Sequence, residues 1–489
     1  QAIDYYDNAL QLDLRSQDYS LFQRGFALGL LNRPEKKIAT LKRLVDHYPE
    51  SGYLDDAHFE IGKSYMNLDQ QENALNYFTR ITEDFPSSNY IKESLVQLGL
   101  IHYNLNNNQK AMSYYKRVLT EYPGTEQAKN ALTGLKNIYV DMNRVDDYFS
   151  YVNSLGDYGR VSMNEQDSLT YISAEKIYMN EGCDNAIDDF QQYLDKFRNG
   201  NFTVNAHFYM ADCFNRQNSE EKALNHYQYV INQPQNSFTE QALSEAARIN
   251  MNMKNYRQAL DHLKKLEKVA EVKSNLIFSR TGQMRAHYLL EQYQKAYEAA
   301  DKVLHTEKVN DREKREAHFI KAKALFFDEK YDMALKEFRI VAARDVNSSE
   351  GAEAKYRTAQ IYYQQKQYKV AENEIFDFLQ QNSSQEYWKA KSFILLADVY
   401  LTMQDTFQAK HTLKSIIENY NPEDKNDDII QTAKNKYNTI VEQEKYQMQK
   451  DTLEEKLEIR LKEQQDIDKS LEIQNKQEPL RDSTKKNSK

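Results

Sequence analysis

The amino-acid sequence predicts an all-α fold, an α-solenoid of about eleven consecutive helix-turn-helix units followed by a C-terminal helix. Three observations predict it. A repeat of about 37 residues runs through the chain, only 13 glycines and 7 prolines occur in 489 residues, and apolar residues recur at the three- and four-residue spacing of helices. The turns and bulges of a strand-rich fold need more glycine and proline than this chain has.

The repeat is marked most clearly by an alanine that recurs every 36 to 38 residues, with one double interval of 75. These residues, the repeat alanines, are Ala74, Ala111, Ala186, Ala223, Ala259, Ala296, Ala334, Ala371 and Ala409. Tyr148 occupies the skipped position, and the same phase leads backward to Lys37 and Ala2. A glycine or alanine, such as Gly62, stands 12 residues before most of them. Small residues at both places predict two closely packed helices in each unit, so that a bulky replacement would cost about 1–3 kcal/mol.

One unit shows how the pattern divides. Its first helix carries Gly62 and Tyr65, a polar turn follows, and its second helix carries Ala74 and Phe78 before Pro86 ends it, because proline cannot donate the helical hydrogen bond. This spacing resembles the tetratricopeptide repeat. The resemblance covers residues 1 to about 422, with eleven full units and an unpaired second helix at 2–14. It implies a right-handed superhelix whose first helices line a concave groove.

The repeat also suggests how the chain is organised. We expect amino-terminal repeat units over 1–155, further repeat units over 156–422, a capping and charged helix over 423–475, and a disordered tail over 476–489. The boundary at 155 follows the fourth unit, which departs most from the pattern because Lys136 and Tyr148 stand where small residues belong.

Composition excludes several classes of function. The net charge of −9 lacks the basic excess of a general nucleic-acid binder. No apolar run approaches the length of a membrane-spanning helix. Cys183 and Cys213 are the only cysteines, too few for a disulfide framework or a cysteine-based zinc site, and they do not identify the compartment.

Catalytic and metal-binding motifs are missing from the sequence. The histidines recur in phase with the repeat: His58, His207 and His318 share one position, His102 and His287 another, His226 and His262 a third. Residues that recur in phase serve the repeat, so we expect structural or surface roles for these histidines. The sequence therefore predicts no catalytic residue, no metal site and no cofactor.

The resemblance places the candidate binding residues on the first helices. Counting the small residue of each first helix as position 8, positions 2, 5, 9, 12 and 13 face the groove. Aromatic rings recur at position 5, and three cations occupy position 9 of successive units. The predicted ligand-binding residues are Phe59, Phe208, Phe319 and Tyr356 among the rings and Arg248, Arg285 and Lys323 among the cations.

Large rings and aligned cations suit a protein or peptide ligand that carries carboxylates. Two alternatives stay open at this stage. Glu316 and Glu353 could neutralise the cations, and the rings could pack against the next repeat, which we favour for the aromatic residues at position 12.

These observations predict a non-enzymatic scaffold that binds proteins along its groove. Tyr48 to Ala57 and Phe85 to Tyr90 are similar to the turn-and-helix pattern of bacterial envelope proteins of the BamD and CpoB type. This similarity implies a periplasmic or outer-membrane-attached protein. We expect the native chain to begin upstream of Gln1, and the similarity leaves open a lipid anchor there. The alternatives are a cytosolic regulatory or co-chaperone-like module, and the recruiting arm of an enzyme whose catalytic domain lies upstream.

Overall fold

The computed structural model describes residues 1–12, 16–381, 383–422 and 427–477. These residues form twenty-four α-helices and one short 3-10 helix, and no strand occurs among them. The predicted all-α fold class is confirmed. The chain divides into two compact units, Gln1–Ala242 and Leu243–Lys489. The boundary predicted at 155 lies inside the first unit, where one hydrophobic cluster contains both Val152 and Leu169.

The first unit begins with a single helix, α1 (Ala2–Gln11), which packs against α2 and matches the predicted unpaired helix as far as the structure describes it. Residues 13 and 14 of that prediction lie outside the described residues. Six helix pairs follow: α2 (Gln17–Leu30) and α3 (Pro34–His47), α4 (Leu54–Asn67) and α5 (Gln71–Asp84), α6 (Ile91–Asn104) and α7 (Asn108–Glu121), α8 (Glu126–Asp141) and α9 (Val145–Ser154), α10 (Met163–Glu181) and α11 (Cys183–Lys196), α12 (Thr203–Arg216) and α13 (Glu220–Ile231). The 3-10 helix, Gly156–Tyr158, follows α9.

Five more pairs follow, and the division between the two units falls within the first of their helices. The pairs are α14 (Thr239–Asn252) and α15 (Tyr256–Val269), α16 (Lys273–Leu289) and α17 (Tyr293–Leu304), α18 (Asp311–Phe327) and α19 (Tyr331–Arg344), α20 (Ser349–Gln364) and α21 (Tyr368–Gln380), α22 (Glu386–Thr402) and α23 (Thr406–Asn419). With the six earlier pairs they make the eleven helix-turn-helix units that the sequence predicted. The last helix is α24 (Ile429–Gln477).

A left-handed residue joins the two helices in ten of the pairs that the structure describes. It stands five residues before the repeat position, which is occupied by a repeat alanine or, in two units, by Lys37 or Tyr148. The φ angle of this residue lies between 52° and 65°, and the ten residues are Asn32, Asp69, Asn106, Asn143, Asn218, Lys254, Glu291, Glu329, Lys366 and Gln404. In α18, for example, the N–H of Glu329 donates to the carbonyl of Phe326 and the N–H of Lys330 to that of Leu325. These bonds satisfy carbonyl groups that the end of a helix leaves open, so the chain turns sharply into the second helix.

The repeat alanines are fully buried, as predicted: each has 0% of its surface exposed. The small residues of the first helices make room for a side chain rather than for a backbone. A methyl group built on Gly62 would lie 2.9 Å from the ring of Phe78, and one built on Gly99 would lie 2.5 Å from that of Tyr115. Both rings stand four residues after a repeat alanine, so the first helix is small where the second helix inserts its large core residue.

A disulfide bond joins Cys183, the first residue of α11, to Cys213 in α12, with the two Cα atoms 5.1 Å apart. It links the second helix of one unit to the first helix of the next. This pairing was not predicted, because the cysteines are 30 residues apart and meet only through the packing of consecutive units.

The last helix has two parts. Ile429, Ala433 and Ile440 are buried in a cluster that also contains residues of α22 and α23, and Glu444 accepts a hydrogen bond of 2.7 Å from Lys410. From Lys445 to Gln474 every side chain is exposed. The helix therefore covers the last repeat and continues beyond it as a charged segment. Residues 478–489, most of the predicted tail, lie outside the described residues.

Candidate functional site

Two of the three predicted cations are paired with the acids that the sequence offered as an alternative. Arg285 in α16 donates to both carboxylate oxygens of Glu316 in α18, at 2.5 and 2.6 Å. Lys323 in α18 lies 3.0 Å from a carboxylate oxygen of Glu353 in α20. The Glu316 carboxylate raises the pKa of Arg285 above its ordinary value, chiefly through the hydrogen bonds. Each cation thus joins its first helix to the first helix of the next unit.

The three cations differ in how much surface they leave for a ligand. The side chain of Arg248 is 55% exposed, that of Arg285 is 42% exposed, and that of Lys323 only 15%. Among the described residues, Arg248 forms one ion pair, with Glu245 on its own helix at 3.5 Å, and its guanidinium lies 5.0 Å from the ring centre of Phe278. Arg248 is therefore the most accessible of the three, and Lys323 is largely withdrawn from solvent.

Two of the predicted rings, both in the compact unit Gln1–Ala242, are packed between repeats. Phe59 stacks on Tyr90 with ring centres 4.3 Å apart, and Phe208 stacks on Phe238 at 4.4 Å. Each partner lies just before the first helix of the following unit. Phe59 and Phe208 are only 6% and 5% exposed, so each ring gives most of its surface to the contact with its neighbour.

The other two predicted rings, Phe319 and Tyr356, lie in the compact unit Leu243–Lys489 and remain partly exposed. The ammonium group of Lys323 lies 5.0 Å from the ring centre of Phe319. Tyr356 contacts Trp388, with ring centres 5.6 Å apart, and the guanidinium of Arg357 lies 5.6 Å from the Tyr356 ring. The first helices of the second compact unit therefore bring partly exposed rings close to cations. That these seven residues bind a ligand stays a prediction.

Tyrosines at position 12 pack against the next repeat, as we favoured from the sequence. The Tyr178 hydroxyl donates to Asp212 of the following unit at 2.7 Å, and Tyr103 donates in the same way to Asp141. Burial and the hydrogen bond to Asp212 raise the pKa of Tyr178 to about 12. These residues therefore fix the spacing of successive first helices.

The in-phase histidines described here pack between the two helices of their own units, which is one of the two roles that the sequence indicated. His58 lies against the rings of Tyr77 and Phe85, and burial lowers its pKa to about 4. The Nδ1 atoms of His207 and His226 lie 2.9 Å apart, and burial likewise lowers the pKa of His207 to about 4. These histidines lie in the interior of the repeats, and burial therefore favours their neutral rings.

The column of residues that meets these histidines was missed by sequence reasoning. It stands three residues after the repeat position and reads Thr40, Tyr77, Tyr114, Tyr151, Asp189, His226, His262, Ala299, Glu337, Glu374 and Thr412. Most of these side chains are large, and Ala299 alone among them carries neither a ring nor a polar group. That exception is visible in the sequence, and Ala299 lines one of the cavities of the structure.

No helix among the described residues combines the length and apolar character needed to span a bilayer. Within the same residues, no three histidine, cysteine, aspartate or glutamate side chains come together as metal ligands would.

Family models described as tetratricopeptide repeat match residues 19–51, 56–88 and 93–125 and residues 319–386. No match is found among curated protein sequences.

Solved structures similar to the chain include three repeat proteins. The TPR domain of P58(IPK) is 15% identical, with 72% of this chain and 99% of that chain covered and a TM-score of 0.23. A tetratricopeptide repeat protein from Parabacteroides merdae is 14% identical, with 55% and 98% covered and a TM-score of 0.32. Yeast Tom70 is 12% identical, with 88% and 96% covered and a TM-score of 0.31.

The segments that match the family models fall in both compact units and follow the phase of the helix pairs. The chain therefore contains tetratricopeptide repeats.

Proposed function

We propose that this protein is a non-enzymatic scaffold that binds a partner protein on the surface of its first helices. Tetratricopeptide repeat proteins are generally protein-interaction scaffolds, and the repeats matched here lie in both compact units. The observation that carries the proposal is a set of cations and partly exposed rings on successive first helices of the second compact unit, Arg248, Arg285, Phe319 and Tyr356.

The chemistry of that surface suits an acidic segment with apolar side chains. The guanidinium groups of Arg248 and Arg285 can bind carboxylates through paired hydrogen bonds, and the rings offer contact area at little entropic cost. Glu316 already holds Arg285, so a ligand carboxylate would compete with it or bind beside it. Arg248 has no such cross-helix partner in the described residues and is the better anchor.

The test is affinity capture of a partner from a bacterial envelope extract, with the wild-type protein and with Arg248→Glu/Arg285→Glu. We expect the double reversal to lose the partner while its circular dichroism stays unchanged. The matched control is Lys268→Glu/Lys336→Glu, which makes the same change of charge at exposed positions of second helices. Equal capture by the two double variants would contradict the proposed surface.

We also propose that the protein works outside the cytoplasm, in a bacterial cell envelope. The pairing of Cys183 with Cys213 supports this location, since disulfides persist mainly in oxidising compartments. The resemblance inferred from the sequence of Tyr48 to Ala57 and Phe85 to Tyr90 would place the protein in a bacterial envelope. Trapping free thiols with an alkylating agent in the native cell tests it. We expect both cysteines to be protected until a reductant is added. Alkylation without a reductant would favour the cytosolic alternative.

A further inference from the structure

One position of the repeat normally fills the space beside the first helix. It is the third residue after the repeat position of the second helix. Tyr114 there stacks on His102 with ring centres 5.5 Å apart, and Glu337 there lies 2.6 Å from the Nδ1 atom of His318. In the α16–α17 pair the residue is Ala299. Its methyl group is too small to reach across, so the position is left open beside His287, the counterpart of His102.

The open position is part of a cavity of about 250 Å³ bounded by α15, α16 and α17. Lysines from both second helices line it: Lys264 from α15, and Lys295 and Lys302 from α17. His287, which is 6% exposed, lies in its wall. The cavity thus lies between two consecutive second helices, apart from the column of cations on the first helices.

The charges around this cavity are unbalanced. Glu267 in its wall already accepts hydrogen bonds from Arg280 at 2.9 Å and from Gln283 at 2.7 Å. Glu298, the other acid of the lining, is exposed and accepts from Gln294 on its own helix. Within the described residues none of the three lysines makes an ion pair. The lining of the cavity therefore contains three lysines and one carboxylate, that of Glu298, which is not paired with Arg280.

The pKa of the buried histidine responds to the charges around the cavity. Burial lowers the pKa of His287 below its ordinary value, and the positive charges of Lys264 and Lys295 lower it further, while a hydrogen bond to Gln292 and the negative charge of Glu298 raise it. Lys302 in turn helps to lower the pKa of Glu267. All three lysines thus act electrostatically on groups in the cavity wall. All three lysines are exposed, and an anion in the cavity would be attracted by each of their charges.

We propose that this cavity binds an oxyanion, a carboxylate or phosphate group, held by Lys264, Lys295 and Lys302. The site is independent of the first-helix surface, so it can fail without affecting the function proposed above. It offers a second contact to the scaffold, on the side of the second helices. The oxyanion can be a free ion or an acidic side chain of a bound protein.

Titration calorimetry and the NMR signals of the His287 ring test the site with three probes on the full chain: inorganic phosphate, citrate, and a tripeptide of glutamate blocked at both ends. We expect one probe to bind saturably at one site at up to millimolar concentration and to shift the His287 signals. Tightest binding of phosphate points to a free ion, and tightest binding of the peptide points to a protein ligand. Failure of all three to bind saturably would overturn the proposal.

Two variants locate the binding. Lys264→Ala/Lys295→Ala should weaken it by at least about tenfold, because two charge-assisted contacts are lost. Ala299→Tyr keeps every charge and installs the ring found at the same position in Tyr77 and Tyr114, so it should abolish binding by filling the cavity. The control is Lys265→Ala, an exposed lysine outside the lining of the cavity. Binding that survives both variants unchanged would show that the probes bind elsewhere.

Discussion

Arg285 and Glu316 join two successive first helices through a pair of hydrogen bonds, at 2.5 and 2.6 Å. Arg285 is also one of the proposed ligand contacts. Glu316 and a bound partner protein would therefore compete for the same guanidinium group. The pair is partly exposed, which limits the energy it contributes but leaves it open to exchange.

The first prediction concerns that pair. Arg285→Glu should lower the free energy of unfolding by about 1 kcal/mol, because it loses the two hydrogen bonds and sets two carboxylates against each other. The swap Arg285→Glu/Glu316→Arg should recover most of the loss, since it restores opposite charges. Chemical denaturation followed by circular dichroism measures the free energy of unfolding of Arg285→Glu, of Glu316→Arg and of the swap. If the loss in the swap equals the sum of the losses in the two single variants, the residues do not interact.

The second prediction tests the packing of the repeat alanines. Ala223 is fully buried, so Ala223→Leu should destabilise the protein by about 1–3 kcal/mol through overpacking. Ala223→Ser should cost less, because serine adds a single oxygen atom. Thermal melting of the two variants checks the order. If the leucine variant melts like the wild type, the assigned phase of the repeat is wrong.

Much of the fold was predictable because one residue type marks the phase. The repeat alanines gave the number of helix pairs, and Lys37, which the same phase identified, is buried at the equivalent place in α3. The turns between paired helices were less visible. Their left-handed residues include Lys254 and Glu329, which no local rule selects, because the geometry is imposed by the packing of the two helices.

Those turns give the third prediction. Glu329 is exposed and has a φ of 58°, a conformation that a side chain disfavours and that glycine adopts freely. Glu329→Gly should therefore stabilise the protein by about 0.5–1 kcal/mol. Glu329→Ala is the control, since it removes the same carboxylate and keeps the strain. The two variants are compared by thermal melting, and a glycine variant no more stable than the alanine variant would contradict the account.

The fourth prediction concerns pH. Unfolded histidine takes up its proton near pH 6.5, whereas burial keeps His58 neutral down to about pH 4. The unfolded chain thus binds more protons between these values. The stability from this residue is complete above pH 6.5 and is lost as the pH falls towards 4, by about 1–2 kcal/mol at pH 5.

Hydrogen exchange of the amides in α4 and α5 at pH 7 and pH 5 measures this loss locally. His58→Phe should reduce the difference, because phenylalanine fits among the neighbouring rings and takes up no proton. His411→Asn, at an exposed histidine, is the control and should leave the difference unchanged. An equal effect of pH on the wild type and on His58→Phe would refute the role assigned to His58.

The candidate site was predictable in part. The repeat phase placed Arg285 and Lys323 on successive first helices, and the acids in their neighbourhood gave the alternative that the ion pairs now show. For Phe59 the sequence left open both a contact with a ligand and packing against the next repeat, and its stacking on Tyr90 could not be selected, since it depends on how far one unit is rotated against the next. The same holds for the disulfide, whose cysteines come from adjacent units.

The central claim is that a partner protein binds on the first helices, and site-specific photo-crosslinking in the native cell tests it most directly. A photoreactive amino acid replaces Arg248 or Arg285 on first helices, or Lys268 or Lys336 on second helices, one position at a time. The account predicts a discrete crosslinked protein from Arg248 and from Arg285, and none of the same mass from the two lysine positions. Crosslinking of that protein from the lysine positions alone, or from none of the four, would contradict it.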